Sequence, residues 1–409
     1  MKITITPAKL SGCITPPPSK SQAHRLIIAA ALAEGQSVLS NVSFSQDIEA
    51  TIRCVEALGA EVVRDGSTLT IQGMAANQMS PLRRLAHPHL DCGESGSTLR
   101  FLIPLALAVR AGGSFTGQGR LMERPQQPYF DLFDQKGIHY SQENGVLRVS
   151  GVLTPGEYRL PGDVSSQFFT GLMFALPLLD GESRIVLTSP LESGAYVEMT
   201  RDVLLAAGIR TDGGVIPGAQ RYQPIRQRVE ADWSQAAFFY AAQGLGSDLR
   251  IEGLNPFSTQ GDSKIVPYYM QLCTGEGEVA LDVSQCPDLF PALAVLAALR
   301  KGKPTHIGGG ARLRIKESDR IAAVADVLTR LGVAVEEFPD GISLVGVDTL
   351  RGGVTVDCHN DHRIAMMAAI AATRCDAPIT LTGAQCVAKS YPAFWDDYEA
   401  LGGQLVREG

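Results

Sequence analysis

Four absences narrow this sequence before any motif is read. The eight cysteines (13, 54, 92, 273, 286, 358, 375 and 386) form no CxxC pair and no spacing of the zinc-site kind. Four of them lie in or beside apolar runs, so buried free thiols are expected rather than a disulfide framework, as in a reducing compartment. There is no basic excess. Lys and Arg number 36 against 43 Asp and Glu, a net charge of −7, which argues against a nucleic-acid-binding surface. It does not argue against a small anionic ligand, because a local cluster of cations can sit inside an acidic protein. Long apolar runs are missing too: stretches such as Phe168 to Leu179 stop short of the ~18 residues a membrane span needs. The opening MKITITPAKL alternates like a strand and lacks the apolar core of a signal peptide, so a cytoplasmic, soluble protein is expected. Finally there is no P-loop, dinucleotide fingerprint, metal-spaced cluster or Ser-His-Asp arrangement, so no nucleotide cofactor and no metal are expected.

What is present is repetition. A chain of 409 residues exceeds one ordinary core and points to two large domains. A few small or polar residues followed by an alanine-rich helix, apolar nearly all round, recur six times. The copies are KSQAHRLIIAAALAEG from Lys20, SGSTLRFLIPLALAVRAG from Ser95, SSQFFTGLMFALPLLDG from Ser165, DWSQAAFFYAAQGLG from Asp232, DLFPALAVLAALRKG from Asp288 and DHRIAMMAAIAATRC from Asp361. A helix apolar on every side belongs inside a domain. Amphipathic helices ending near glycine follow several of them, over 47–60, 196–209, 318–333 and 391–403. Strand pairs turning at Asp-Gly come next, over 61–73 and 335–346. The expected fold is therefore α/β, in two domains of three repeats each, with buried helices and outer sheets. The tract 211–228, rich in Gly, Pro and Arg, separates the third and fourth repeats and is the candidate hinge. The N-terminal strand precedes the first repeat and is expected to join the C-terminal domain.

The polar residues gather at the starts of the buried helices, where free N–H groups and the positive end of the dipole suit phosphate or carboxylate. SKSQAHR (19–25) places Lys20, Ser21 and Arg25 there, although a capping serine with solvated charges would look the same. GESGSTLR (93–100) is a Gly/Ser turn that would let backbone approach a ligand at Gly96, and GRLMERP (119–125) puts Arg120 and Arg124 on one loop. DVSSQF (163–168) offers Ser165, Ser166 and Gln167, where an ordinary cap needs only one serine. SGAY (193–196) adds Ser193 and Tyr196. Asp288 heads the fifth buried helix and is either a cap or a proton acceptor. RLRIKESDR (312–320) is the densest tract, with Arg312, Lys316, Glu317 and Arg320; a solvated ion-pair face is its plainer reading. NDHR sets Arg363 ahead of a buried helix, which is expensive without an anionic partner, and AKSYP places Lys389 before the last helix. Together these describe an excess of cations suited to two anionic substrates, with Asp288 and Glu317 among them.

SKSQAHR, GESGSTLR, ERP, SSQF, RIKESDR, NDHR and AKSYP resemble, in order and over essentially the whole chain, the motifs of 5-enolpyruvylshikimate-3-phosphate (EPSP) synthases. RIKESDR with NDHR is the specific part. The resemblance implies two inside-out α/β barrels of three repeats that close on substrate. One is a C-terminal lobe (1–18 and 226–409) on the phosphoenolpyruvate side; the other is an N-terminal lobe (19–225) on the shikimate 3-phosphate side. It implies that Lys20, Ser21, Arg25, Ser165, Ser166, Gln167, Ser193, Tyr196, Asp288, Arg312 and Lys316 hold shikimate 3-phosphate. It implies that Lys20, Gly96, Arg124, Gln167, Arg320, Arg363 and Lys389 hold phosphoenolpyruvate. Asp288 would orient the 5-hydroxyl and take its proton; Glu317 and Lys389 are candidates for protonating the methylene carbon, with Lys20 sharing in proton transfer. No cofactor, metal, membrane or nucleic acid is implied, and a monomer is expected. Glu94 stands where asparagine is frequent in the family, and Arg312 where some members carry asparagine. The rivals are a UDP-N-acetylglucosamine enolpyruvyl transferase, which would carry Lys-Asn in the first motif and a cysteine on the arginine loop, and a non-catalytic phosphometabolite-binding protein.

Overall fold

The computed structural model describes residues 1–75 and 87–408 and divides the chain into two compact units. The first unit is Met1–Pro17 with Ala231–Gly409, and the second is Pro18–Glu230. Two strands of the first unit open the chain, β1 (Lys2–Thr6) and β2 (Ser11–Ile14).

The second unit contains three repeats. The first runs α1 (Lys20–Leu32), β3 (Gln36–Ser40), α2 (Gln46–Leu58), β4 (Glu61–Asp65) and β5 (Thr68–Gln72). Next come β6 (His89–Asp91), α3 (Gly96–Arg110), β7 (Gly112–Thr116), α4 (Gln127–Lys136), β8 (His139–Glu143) and β9 (Val146–Ser150). The third holds β10 (Gly156–Leu160), α5 (Ser166–Ala175), β11 (Ser183–Leu187), α6 (Gly194–Ala206), β12 (Val215–Ile216) and a closing strand β13 (Arg226–Arg228). The sheets are β13-β3-β5-β4, β6-β7-β9-β8 and β10-β11-β12. In each of the first two a parallel pair precedes an antiparallel hairpin.

The first unit repeats the plan. It carries α7 (Trp233–Gly244), β14 (Asp248–Ile251), α8 (Ile265–Thr274), β15 (Val279–Asp282), α9 (Phe290–Ala297), β16 (Pro304–Gly308) and α10 (Arg320–Arg330). Then follow β17 (Val335–Phe338), β18 (Gly341–Val345), β19 (Thr355–Asp357), α11 (His362–Ala372), β20 (Ile379–Thr382), α12 (Phe394–Ala400) and β21 (Gln404–Glu408). Its sheets are β19-β20-β1-β21, β14-β2 and β15-β16-β18-β17.

Each core is built on the alanine-rich helices. α1, α3 and α5 form the centre of one apolar cluster, and α7, α9 and α11 the centre of the other, with the amphipathic helices and the inner faces of the strands packed around them. Alanine on several sides lets neighbouring helices approach closely. α3 packs tightly on α5: a Cβ at Gly171 would clash with the Arg100 carbonyl and the Tyr129 hydroxyl, so only glycine fits. That carbonyl has lost its helical donor to Pro104 within α3, and the Tyr129 hydroxyl donates to it instead at 2.7 Å. The amphipathic helices follow ordinary end rules. The Ser45 hydroxyl caps α2, Asp47 and Glu49 occupy its first turn, and Gly59 ends it at φ 115°.

Two expectations need correction. The tract 211–228 is not a joint between the units: it lies wholly within the second, with Tyr222 buried and β13 paired in parallel with β3. The chain crosses from the second unit to the first at Glu230/Ala231 rather than 225/226, and the Glu230 N–H is held by the Gln22 side chain at 2.7 Å. No helix among the described residues is long and apolar enough to cross a membrane.

Candidate active site

In the second unit the polar residues sit at the first turns of the buried helices, placed there by their caps. Ser19, Ser95 and Ser165 accept from the backbone N–H of Gln22, Thr98 and Gln167, which starts α1, α3 and α5 in turn. Arg25, one turn into α1, is buried. Its Nε donates to the Thr200 hydroxyl at 2.9 Å, and its terminal nitrogens reach the Ser21 carbonyl (2.7 Å) and the Tyr196 carbonyl (3.1 Å). The guanidinium also lies over the rings of Phe101 and Tyr196. No carboxylate pairs with it among the described residues, and burial pulls its pKa down to about 10. A desolvated cation held only by neutral oxygens and ring faces is a ready partner for an anion.

A second group forms around Gln167. Its amide oxygen accepts from Arg100 (2.9 Å) and its amide nitrogen donates to Ser97 (3.0 Å). Gly96 lies against it: a Cβ there would sit 2.9 Å from a terminal nitrogen of Arg124 and 3.5 Å from the Gln167 oxygen. Ser166 begins α5, and Ser193, left-handed at φ 53°, precedes α6; both are buried. Lys20 pairs with Asp47 at 2.6 Å. The Glu94 carboxylate packs on the arginine loop, where a Cβ at Gly119 would come within 2.5 Å of it.

The first unit holds the denser cluster. Asp288 does not cap α9; it lies in the short 3-10 turn Pro287–Leu289, which frees its carboxylate. One oxygen accepts from Arg320 and the other from Arg363, each at 2.9 Å. Arg320 starts α10 fully buried and also donates to Glu317 (2.8 Å) and Asp361 (2.9 Å). Asp361 accepts the Arg363 N–H as the cap of α11 and takes the Ser318 hydroxyl at 3.1 Å. Burial alone would raise the Asp288 pKa, but Arg363, Lys316 and Arg320 outweigh it and hold the group well below the carboxylate range. Burial works the other way on Lys316. It pulls that pKa down to about 8, assisted by Arg312 and Arg320 and opposed by Asp288 and Glu317. Asp361, Glu317 and Asp288 raise Arg320 despite its burial.

Lys316 sits at the extended end of the 3-10 stretch Ala311–Ile315, outside α10, so it does not share a helical turn with Arg320. Arg312 donates to the Ser284 carbonyl, and Lys389 to the Asn360 carbonyl at 2.7 Å. Asp47, Thr200, Ser318 and Asp361 hold the candidate residues or their partners, and the motifs did not single them out. Asp361 alone carried a signal, as the N-cap of a helix headed by arginine. No group of three or more His, Cys, Asp or Glu side chains suited to a metal occurs among the described residues.

This geometry coincides with a family match. A model of the family described as "EPSP synthase (3-phosphoshikimate 1-carboxyvinyltransferase)" covers residues 5–398. The chain belongs to the EPSP synthase family. Two of its similar relatives are the 3-phosphoshikimate 1-carboxyvinyltransferases of Clostridium perfringens and Clostridioides difficile. Each is 42% identical; the first alignment covers 100% of both chains and the second 98% of both. A solved EPSP synthase from Acinetobacter baumannii superposes with a TM-score of 0.79 at 25% identity, covering 99% of this chain and 100% of its own.

Proposed function

We propose that this chain transfers the enolpyruvyl group of phosphoenolpyruvate to the 5-hydroxyl of shikimate 3-phosphate and releases phosphate. Family membership over nearly the whole chain and full-length relatives of that name carry the reaction. The observation that carries the chemistry is the single carboxylate of Asp288 gripped by Arg320 and Arg363, with Lys316 also acting on it.

In the resting protein those cations keep Asp288 ionised and a poor base. Phosphoenolpyruvate brings its own negative charge to Arg320, Arg363, Lys389, Lys20, Arg124, Gln167 and the Gly96 turn. Each arginine drawn to the new anion releases Asp288, whose pKa then rises toward that of a useful proton acceptor. Ser21, Arg25, Ser165, Ser166, Gln167, Ser193, Tyr196, Arg312 and Lys316 hold shikimate 3-phosphate, and the buried Arg25 meets its charge. Asp288 accepts the 5-hydroxyl proton as that oxygen bonds to C2 of phosphoenolpyruvate. Glu317 or Lys389 protonates the methylene carbon, with Lys20 sharing in the transfer. The tetrahedral intermediate loses a proton from that carbon and expels phosphate, which restores the double bond. The finer architecture belongs to the same proposal: each unit is an inside-out barrel of three repeats, as three buried helices and three sheets per unit support. So does a cytoplasmic monomer.

The test is phosphate release from purified protein with phosphoenolpyruvate and shikimate 3-phosphate, and in parallel with UDP-N-acetylglucosamine. Release only with the shikimate ester is expected; release only with the nucleotide sugar, or with neither, would overturn the proposal.

A further inference from the structure

The third sheet of the second unit is shorter than the other two. β12 has two residues and pairs with only Ser183 and Arg184 of β11, whereas β5 and β9 run alongside β3 and β7 for four and five residue pairs. The covering strand that its counterparts possess is nearly absent here. A cavity of about 410 Å³ remains where β11 meets α5 and α6. Phe169 and Met173, one turn apart on α5, and Val197 on α6 line it, with Ile185 from the strand. That is an ordinary size and apolarity for a small-molecule site.

Two arginines share the lining. Arg201 reaches Glu198 (2.9 Å) and the Gly213 carbonyl (2.6 Å) through its terminal nitrogens, but its Nε is shielded from water and has no acceptor. Arg184 makes no ion pair with a described residue, although it stands in the same wall. A purely apolar ligand would leave the Arg184 guanidinium and the Arg201 Nε without an acceptor. A sugar phosphate would leave Phe169, Met173 and Val197 facing hydroxyls.

We propose that this cavity is a binding site for a small aryl carboxylate, its ring on Phe169, Met173 and Val197 and its carboxylate taken by Arg184 and Arg201. The site is separate from the groups assigned to the enolpyruvyl transfer, and its existence does not depend on that reaction. Charge and shape are both required: planar carboxylate suits guanidinium donors, and the ring lies along an apolar wall in which Leu187 is exposed and Phe169, Met173 and Val197 form the buried floor.

The experiment titrates 2-naphthoate into the full chain carrying 13C-methyl methionine, with calorimetry in parallel. Saturable binding at one per chain and a shift of the Met173 methyl signal are expected. Arg184→Met and Arg201→Met should each weaken binding at least ten-fold, and 2-naphthalenemethanol, the neutral analogue, should bind at least ten-fold more weakly than the acid. Arg184 is exposed and Arg201 half-buried, and an unchanged thermal unfolding midpoint checks that each variant is folded before its affinity is read. Absence of saturation up to millimolar 2-naphthoate, saturation without movement of Met173, or equal affinity in either Met variant or for the alcohol would each overturn the proposal. None of these readouts uses turnover, so failure of the enolpyruvyl assay leaves them interpretable.

Discussion

At the scale of single residues the site is governed by opposed burial and charge. Lys316 shows this most directly, because desolvation has moved its pKa from the ordinary lysine range to about 8. A lowered lysine pKa means that the folded protein disfavours the cation. The group therefore detracts from stability below pH 8 and ceases to do so as pH rises from about 8 toward its unfolded value. Binding an anion reverses the preference. If Lys316 contributes a positive charge to shikimate 3-phosphate, kcat/KM, which reports the free enzyme, falls as pH rises through about 8. Substrate phosphates are fully ionised by then, since their second pKa lies near ~6. Lys316→Arg keeps the charge at every working pH. A pH profile of that variant should lose the alkaline limb while its plateau drops; an unchanged limb would remove Lys316 from the binding step. The members of this site were legible as motifs, but their partners were not. Thr200 is 175 residues from Arg25, and Asp288 is 75 from Arg363, and no local pattern records such distances.

Among elements, the buried helices were the most readable part of the chain, because uniform apolarity and a polar cap are both local properties. The short 3-10 stretches were not. Pro287–Leu289, Ala311–Ile315 and Ala384–Lys389 carry or flank Asp288, Lys316 and Lys389, and their course depends on what they pack against. Nor did the six copies reveal that the third sheet stops short. The element with the most at stake is the start of α11, where fully buried Asp361 serves both as cap and as partner to Arg320. Asp361→Ala loses a cap, about 1 kcal/mol, and one leg of a buried ion network. Because Asp288 and Glu317 still face Arg320, the second loss is put at the low end for such pairs, about 3 kcal/mol. Asp361→Asn retains an oxygen for the Arg363 N–H and should lose less. Urea unfolding of both variants separates the effects, and equal midpoints would show that the cap contributes nothing.

For the molecule as a whole, the decisive feature is that its first and last strands share a sheet. β1 lies between β20 and β21, antiparallel to both, and puts Ile3 and Ile5 into the core of the first unit at 0% exposure. The exit from the second unit was misplaced by five residues because Arg226–Arg228 has no apolar pattern; it is held by backbone pairing to β3. Position in sequence thus says little about which unit needs a segment, and β1 makes this testable. Removing residues 2–6 takes one of the two inner strands from a four-stranded sheet and leaves β20 and β21 with unpaired edges. Even the milder Ile5→Ala should cost about 2–5 kcal/mol. The only two tryptophans, Trp233 and Trp395, both lie in the first unit and are buried. Their emission therefore reports that unit alone. In the truncated chain it should shift to the red, as for indole in water, while part of the far-UV helical signal persists from residues 18–230. Native blue-shifted emission after truncation would show that residues 231–409 fold without the strand that precedes them by more than two hundred positions.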